Sequence, residues 1–237
     1  MSQYNENTIL NMCEDAMENP ALFYTQNFVN YKGICPDTQD YYTEVIAKYL
    51  INHLSTFSNG IPQIKRRSSY YTQSHKGEYN PNSNRKEEIT AIKIFNYCSK
   101  GNQYEKIGKI LDYQIPLKDK QNDHVGKIDL LAYDGNVLHV LELKVPKKSE
   151  ETMLRCVLEG YTYLQTVDTA KLIADFNSGC NLDIPTDTPV KASPFVFENS
   201  LPYHEYFENR PNLKELMKRL NSEPFFIREI SGGYEVV

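Results

Sequence analysis

The sequence predicts an α/β protein, a mixed central sheet with helices packed on it and a helical addition at the N-terminus. Three observations carry that expectation. Apolar residues recur at helical spacing within residues 1–58. Three segments of strand character then follow one another between Lys109 and Val145, and Asp134-Gly135-Asn136 between the last two is a hairpin-turn signal. Beyond Pro146, helical and extended patterns alternate to the C-terminus.

The clearest early helix runs from about Gln39 to Phe57, with Tyr42, Val45, Ile46, Tyr49, Leu50, Leu54 and Phe57 on one face, and Gly60 and Pro62 end it. Residues 59–84 lose all periodicity and are rich in Ser, Asn, Gln, Tyr and Gly. They read as a long loop, of the kind that is uncommon unless it is functional or mobile. A second helix starts near Asn84, where Asn84 and Glu87 make a capping-box pattern, and Lys100-Gly101 closes it. Ile110–Leu117, Lys127–Tyr133 and Val137–Val145 are the three strands, and Pro146 stops the last. Ser149 opens a helix to about Val167, and a shorter one covers Ala170 to Phe176. After a loop at 177–189, strands Val190–Glu198 and Pro224–Ile230 flank a helix at Asn212–Leu220. Ser231-Gly232-Gly233 then turns the chain into Tyr234–Val237. This divides the chain into residues 1–83, a helical extension with a long polar loop, and residues 84–237, the sheet-bearing core.

Composition narrows the function classes. With 237 residues, 40% hydrophobic and 24% charged, the chain can close a core without staples. No apolar run approaches the roughly 20 residues of a membrane span, so no membrane role is expected. The N-terminus lacks the basic start and apolar stretch of a secretory signal. Five scattered cysteines without a C-x-x-C pair argue against a disulfide framework or zinc ribbon and for a reducing, cytoplasmic setting. A net charge of -5 excludes binding nucleic acid by bulk charge and leaves only a local basic patch for it. Lys65-Arg66-Arg67 and Lys147-Lys148 are more often solvated charge runs, although Lys147-Lys148 lies where a phosphate contact would suit.

The chemistry concentrates in the hairpin. Side chains alternate faces along a strand, so Glu142 and Lys144 share one. A two-residue turn at Gly135-Asn136 puts Asp129 directly opposite Glu142. A turn at Asp134-Gly135 moves the register by two and keeps Asp129 on the same face. Both carboxylates sit among Ile, Leu and Val, and two like charges in such a place are costly unless a cation joins them. Lys144 is one such cation, and a hard divalent ion such as Mg²⁺ is the other. On the helix from Asn84, Glu88 falls near the middle of the apolar arc, flanked by Ile92 and Phe95. On the helix after Pro146, Arg155, Glu159 and Tyr163 form a polar line at i, i+4 and i+8 that faces either the same site or water.

Asp129, then Glu142-Leu143-Lys144 on the next strand, resembles the PD-(D/E)XK nuclease superfamily. The order helix, three strands, helix, strand fits the same core, and the likeness covers roughly residues 84–200. Ile128 stands where the family's proline would be. The Arg155-x-x-x-Glu159-x-x-x-Tyr163 line is similar to the Q-x-x-x-Y element of exonuclease-like branches, with Glu for Gln. The resemblance implies a restriction-endonuclease-like α/β/α core and a Mg²⁺- or Mn²⁺-dependent nuclease acting on DNA rather than RNA. Asp129, Glu142 and the Leu143 carbonyl would hold the metal, Glu88 would bind it directly or through water, and Lys144 would orient or activate the attacking water and stabilise the developing charge. Two other readings stand beside this one. One is a catalytically inactive nuclease-fold protein that binds nucleic acid or protein. The other is an unrelated α/β protein whose hairpin imitates the motif, with Asp129 and Glu142 on exposed strands paired with Lys127 and Lys144, and with Glu88 on the helix surface paired with Arg85. Convergence of Asp129, Glu142 and Lys144 separates the first two readings from the last.

Overall fold

The computed structural model describes residues 3–119, 126–146 and 151–237. Asn5 accepts from Thr8 N–H at 2.8 Å and caps helix α1, Glu6–Ala16, which turns Ile9 and Cys13 inward. Two 3₁₀ turns, Pro20–Thr25 and Asn27–Asn30, bury Phe23, Tyr24, Phe28 and Val29. The expected helix from Gln39 to Phe57 is two helices, α2 (Tyr42–Asn52) and α3 (Leu54–Asn59). The break falls at His53, whose backbone N–H reaches the Tyr49 and Leu50 carbonyls and whose ring Nδ1 lies 2.8 Å from the same Tyr49 carbonyl.

The long segment before α4 (Lys86–Ser99) has no regular structure, as expected, but it is tied down. Tyr70 is fully buried, its N–H donates to Asp175, and its hydroxyl accepts from Asp168 N–H. Within the basic run at 65–67, Arg66 donates to the Lys118 carbonyl and lies over the Tyr70 ring. This cation is therefore occupied in holding the segment.

Strands β1 (Lys109–Pro116), β2 (Lys127–Tyr133) and β3 (Leu138–Lys144) form an antiparallel meander. Helices α5 (Met153–Thr166) and α6 (Thr169–Cys180) lead to β4 (Val190–Phe197), which lies parallel to β3. A short helix absent from the sequence expectation, α7 (Leu201–Phe207), precedes α8 (Pro211–Arg219). Then β5 (Phe225–Ile230) adds parallel to β4, and β6 (Gly233–Val236) turns back on it. The result is a six-stranded mixed sheet in the order β1-β2-β3-β4-β5-β6. Ser149, where the sequence opens the α5 helix, and His124, Lys147 and Lys148 lie outside the described residues. Within them, α5 is capped by Thr152, whose hydroxyl accepts from Arg155 N–H at 3.2 Å.

Helices cover both faces of the sheet. Ala91, Ile94 and Cys98 of α4 pack with Leu130, Ala132, Leu141 and Leu143 on one face. Val157 and Leu158 of α5 pack with Leu131, Leu138 and Val140 on the other. The N-terminal residues are not a separate layer, because Ile9, Phe23, Ile46, Leu50 and Phe57 share the α5-side core with Leu213 and Leu216 of α8. Glu44 of α2 is buried to a purpose, since its two carboxylate oxygens accept from Asn212 and Leu213 N–H at 2.9 and 2.8 Å and cap α8. All five cysteines are free thiols, and among the described residues no helix is long and apolar enough to cross a membrane.

Candidate active site

The turn at Gly135-Asn136 sets everything that follows. Asp134 Oδ1 accepts from both Asn136 and Val137 N–H at 2.7 Å, and Gly135 takes φ 100°, a backbone conformation that glycine alone adopts at no cost. The ladder then runs Tyr133↔Leu138, Ala132↔His139, Leu131↔Val140 and Leu130↔Leu141, where it stops. The next position sets Asp129 against Glu142, the first of the two registers the sequence allows. There the Leu143 N–H goes to the Asp129 carboxylate (Oδ2, 3.0 Å). The strands part at this pair, and a strand residue's N–H and C=O point to the same side, so the Leu143 carbonyl faces the same gap.

Gln114 holds Asp129 from the other side, its amide donating to Oδ1 at 2.7 Å. It lies between the pairs Tyr113↔Leu130 and Ile115↔Ile128, and its φ of 49° is a left-handed conformation in mid-strand. A non-glycine residue in that region stores strain of the kind that gathers at functional sites. Nothing in the sequence of the strand marks Gln114 for this role.

Glu142 is 3% exposed and Lys144 is also buried. Lys144 Nζ donates to Glu142 Oε1 at 2.7 Å and to Glu159 Oε2 at 2.8 Å, and pairs with Glu151 at 3.0 Å. Tyr163 donates its hydroxyl to Glu159 Oε1 at 2.9 Å, and Arg155 pairs with Glu151 at 3.2 Å. The polar line on α5 therefore faces the site and not water. Tyr24 from the N-terminal segment completes this wall. Its hydroxyl is 3.5 Å from that of Tyr163, and Arg155 lies over its ring. Helix α5 is held in place by the same N-terminal segment. Thr152 donates its N–H to Asn30 Oδ1 and its hydroxyl to the Val29 carbonyl, while Met153 N–H goes to Glu205 on α7. Sequence reasoning missed Tyr24, Asn30 and Glu205, which stand far from the motif in the chain, and Glu151, which lies just before α5 only seven residues after Lys144.

Glu88 is not the inward carboxylate. Its side chain is 36% exposed and pairs with Arg85 at 3.2 Å, at the mouth of an open cleft of about 510 Å³ that also borders Glu87, Gln114, Lys127 and Asp129. The helix begins one residue later than a cap at Asn84 implies, with Arg85 as N-cap and no side-chain capping bond. Glu87 heads the row that continues through buried Ala91, Ile94 and Cys98. The Glu87 charge acts on Asp129.

These neighbours set the protonation. Burial, with Glu159 and Glu87 adding repulsion, pushes the Asp129 carboxyl up to about 7 against the pull of Lys144 and the Leu143 N–H. Burial and the nearby Glu159 raise Glu142 well above the usual carboxylate range. Burial disfavours charge on Lys144, yet Glu142 and Glu159 outweigh it and hold the ammonium well above its ordinary value. Burial also raises Glu159, but Lys144 and the Tyr163 hydroxyl win and keep it ionised. The Cys156 thiol, buried against the Glu142 carbonyl, is pushed up and stays protonated.

Among the described residues no three His, Cys, Asp or Glu side chains converge as a metal-ligating group. The Asp129 charge acts on Glu142 across the hairpin, and the Leu143 carbonyl faces the gap between the strands. Among the described residues Glu142 Oε2 is buried without a hydrogen-bond partner, so no hydrogen bond offsets its desolvation. Hard oxygen donors with one or two carboxylates fit Mg²⁺ or Mn²⁺, which complete their shell with water or phosphate oxygens. Comparison of the chain with known protein families, curated proteins and solved structures finds no match. The functional reading therefore rests on the geometry of the site.

Proposed function

We propose that this chain is a metal-dependent nuclease with a restriction-endonuclease-like core that hydrolyses phosphodiester bonds of DNA. The observation that carries the reading is the placement of Asp129 opposite Glu142 where β2 and β3 part, with Lys144 two residues on and on the same face. Asp129, Glu142 and the Leu143 carbonyl would hold Mg²⁺ or Mn²⁺, which when bound polarises a phosphoryl oxygen and acidifies a water. The rest falls to the protein's own groups. Lys144 stays an ammonium at neutral pH, so it acts on the negative charge of the phosphoryl oxygens in the transition state and not as a base. Glu159, fixed by Tyr163, is a positioning residue for Lys144. Gln114 and the Leu143 N–H keep the Asp129 carboxylate aimed into the gap between the strands.

A second reading is a catalytically inactive nuclease-fold protein that binds nucleic acid or protein. It is favoured by the enclosure of Lys144 among Glu142, Glu151 and Glu159, which neutralises the buried charge inside the protein. Calorimetric titration of Mn²⁺ into wild type and Asp129→Ala, with plasmid and single-stranded DNA cleavage read on the same samples, separates the two. Binding and cleavage that vanish together in the variant support the nuclease. A wild type that binds no metal and cuts no substrate sinks it and leaves the binding role.

A further inference from the structure

Large apolar or aromatic side chains with substantial exposure are few here: Ile34, Tyr79, Tyr97, Phe207 and Ile230 among the described residues. Three of them, Tyr79 (39% exposed), Tyr97 (38%) and Ile230 (44%), line one groove of about 450 Å³ between α4 and the β5–β6 hairpin. Two lysines, Lys93 and Lys100, line the same groove, against a single acidic residue, Glu229. Lys93 Nζ already sits 5.9 Å over the Tyr79 ring.

The lysines are placed in order. Lys86, Lys93 and Lys100 are seven residues apart, a spacing that drifts only about 20° around a helix per step. They form one row along the exposed side of α4, about 10 Å between neighbours at 1.5 Å per residue. Lys86 borders the cleft that holds Asp129, and Lys93 and Lys100 border the groove. The row therefore joins the candidate active site to a surface of exposed aromatic rings. Cations at regular intervals follow a phosphate backbone, and exposed rings offer stacking faces that a duplex, with its bases already stacked, does not use.

We propose that the groove between α4 and the β5–β6 hairpin binds single-stranded DNA. Bases stack on Tyr97 and Tyr79, and phosphates follow the Lys100–Lys93–Lys86 row toward Asp129. This rests on the nuclease reading for its direction and deepens it by naming the substrate class. It also gives an acidic protein a way to hold a polyanion, since the positive charge is needed only along one helix.

The test is fluorescence anisotropy of a labelled oligothymidylate of about 16 nucleotides, a length spanning the usual single-strand site sizes, with EDTA present so that nothing is cut. Wild type should bind it, more weakly as salt rises, and more tightly than a duplex of equal length. The double variant Lys93→Glu/Lys100→Glu should bind at least about tenfold more weakly with a shallower salt slope. Tyr97→Ala should lose about 5- to 150-fold, the range of one base–aromatic stack, while Tyr97→Phe should bind like wild type. All of these positions are solvent-exposed, and a thermal melt of each variant checks that it folds. Oligothymidylate binding that is absent in wild type or unaffected by these variants overturns the proposal. In the first case a peptide strand added to the open edge of β6 becomes the better occupant. Tighter binding of duplex, or of oligouridylate, overturns the single-stranded DNA assignment. The two readings also fail separately. Groove binding without cleavage of any substrate in Mn²⁺ sinks the nuclease alone, and cleavage untouched by the charge reversals sinks the groove alone.

Discussion

Replacing Asp129 with Asn should make the protein more stable, and more so at higher pH. In the folded chain Asp129 holds its proton up to about pH 7, against a starting value of 3.8. The folded state thus binds more protons than the unfolded state across that window. The stability contributed by the protonated form is complete below about pH 4 and is lost as pH rises through about 7. The shift corresponds to a cost on the order of 4 kcal/mol for the ionised carboxylate above that range, at 1.36 kcal/mol per pH unit. Relaxation of the surroundings makes about 2–4 kcal/mol the realistic expectation. Asparagine keeps the shape. Its carbonyl can accept from Leu143 N–H, and its amide can donate to Gln114 once the Gln114 amide flips. Urea melts in EDTA at about pH 5 and about pH 8 read this directly as a change in midpoint at constant slope. We expect wild type to weaken between the two pH values, and Asp129→Asn to weaken less and to exceed wild type at the higher one. A variant no more stable than wild type at about pH 8, or one with the same pH slope, would refute the argument that the site holds strain in the form of a buried charge. A more stable variant that has lost cleavage would fit a site that trades stability for function.

Other substitutions probe the same cluster. Lys144→Met strips Glu142, Glu151 and Glu159 of their shared cation and should cost about 3–5 kcal/mol. The loss should be smaller at about pH 5, where Glu142, whose carboxyl is pushed up by burial, can take up a proton, and urea melts at two pH values check both points. Tyr163→Phe removes a hydrogen bond to an ionised carboxylate and should cost about 1.5–3 kcal/mol. If Glu159 positions Lys144, kcat should fall in that variant with KM little changed. Gly126→Ala should act on the same residue from outside, because a Cβ at Gly126 runs into the Tyr163 hydroxyl. Its thermal midpoint should drop by an amount worth about 1–3 kcal/mol. Glu87→Gln removes a negative charge that acts on Asp129 and should move the pH midpoint of stability downward, whereas Glu88→Gln should leave it in place. The reverse order would restore Glu88 as the inward carboxylate.

The hairpin was readable from local pattern alone. Asp134-Gly135-Asn136 demanded a tight turn, and the period of two along a strand made every permitted even-length turn place Asp129 on the face of Glu142 and Lys144. The same parity puts His139 on the opposite face, where it is bonded to Asp134 at 3.0 Å and packs against the Phe225 ring. Where local signals were weaker, the expectation slipped. The seven residues of α7 carry three aromatic residues and a proline and show no helical stripe. Their helix is held by packing of Tyr203, Tyr206 and Phe207 on Phe226 of β5. The choice between Glu87 and Glu88 turned on where the apolar arc of α4 is centred. Adjacent helical residues point about 100° apart, so an apolar arc centred one residue over turns Glu87 along the row of Ala91, Ile94 and Cys98 and turns Glu88 to Arg85, while both still border the cleft with Asp129.

The sequence by itself determined the strands, the shared face of Asp129, Glu142 and Lys144, and the polar line Arg155, Glu159 and Tyr163. Each follows from periodicity over a few residues, which the backbone geometry of one element enforces. Only the tertiary structure decided that this line turns to Lys144, that Gln114 and not a neighbour holds Asp129, and that Tyr24 and Asn30 wall and anchor the site. Those contacts join residues up to 139 positions apart. No period relates such residues. They meet because burying two faces of one sheet leaves each helix a single way to lie on it.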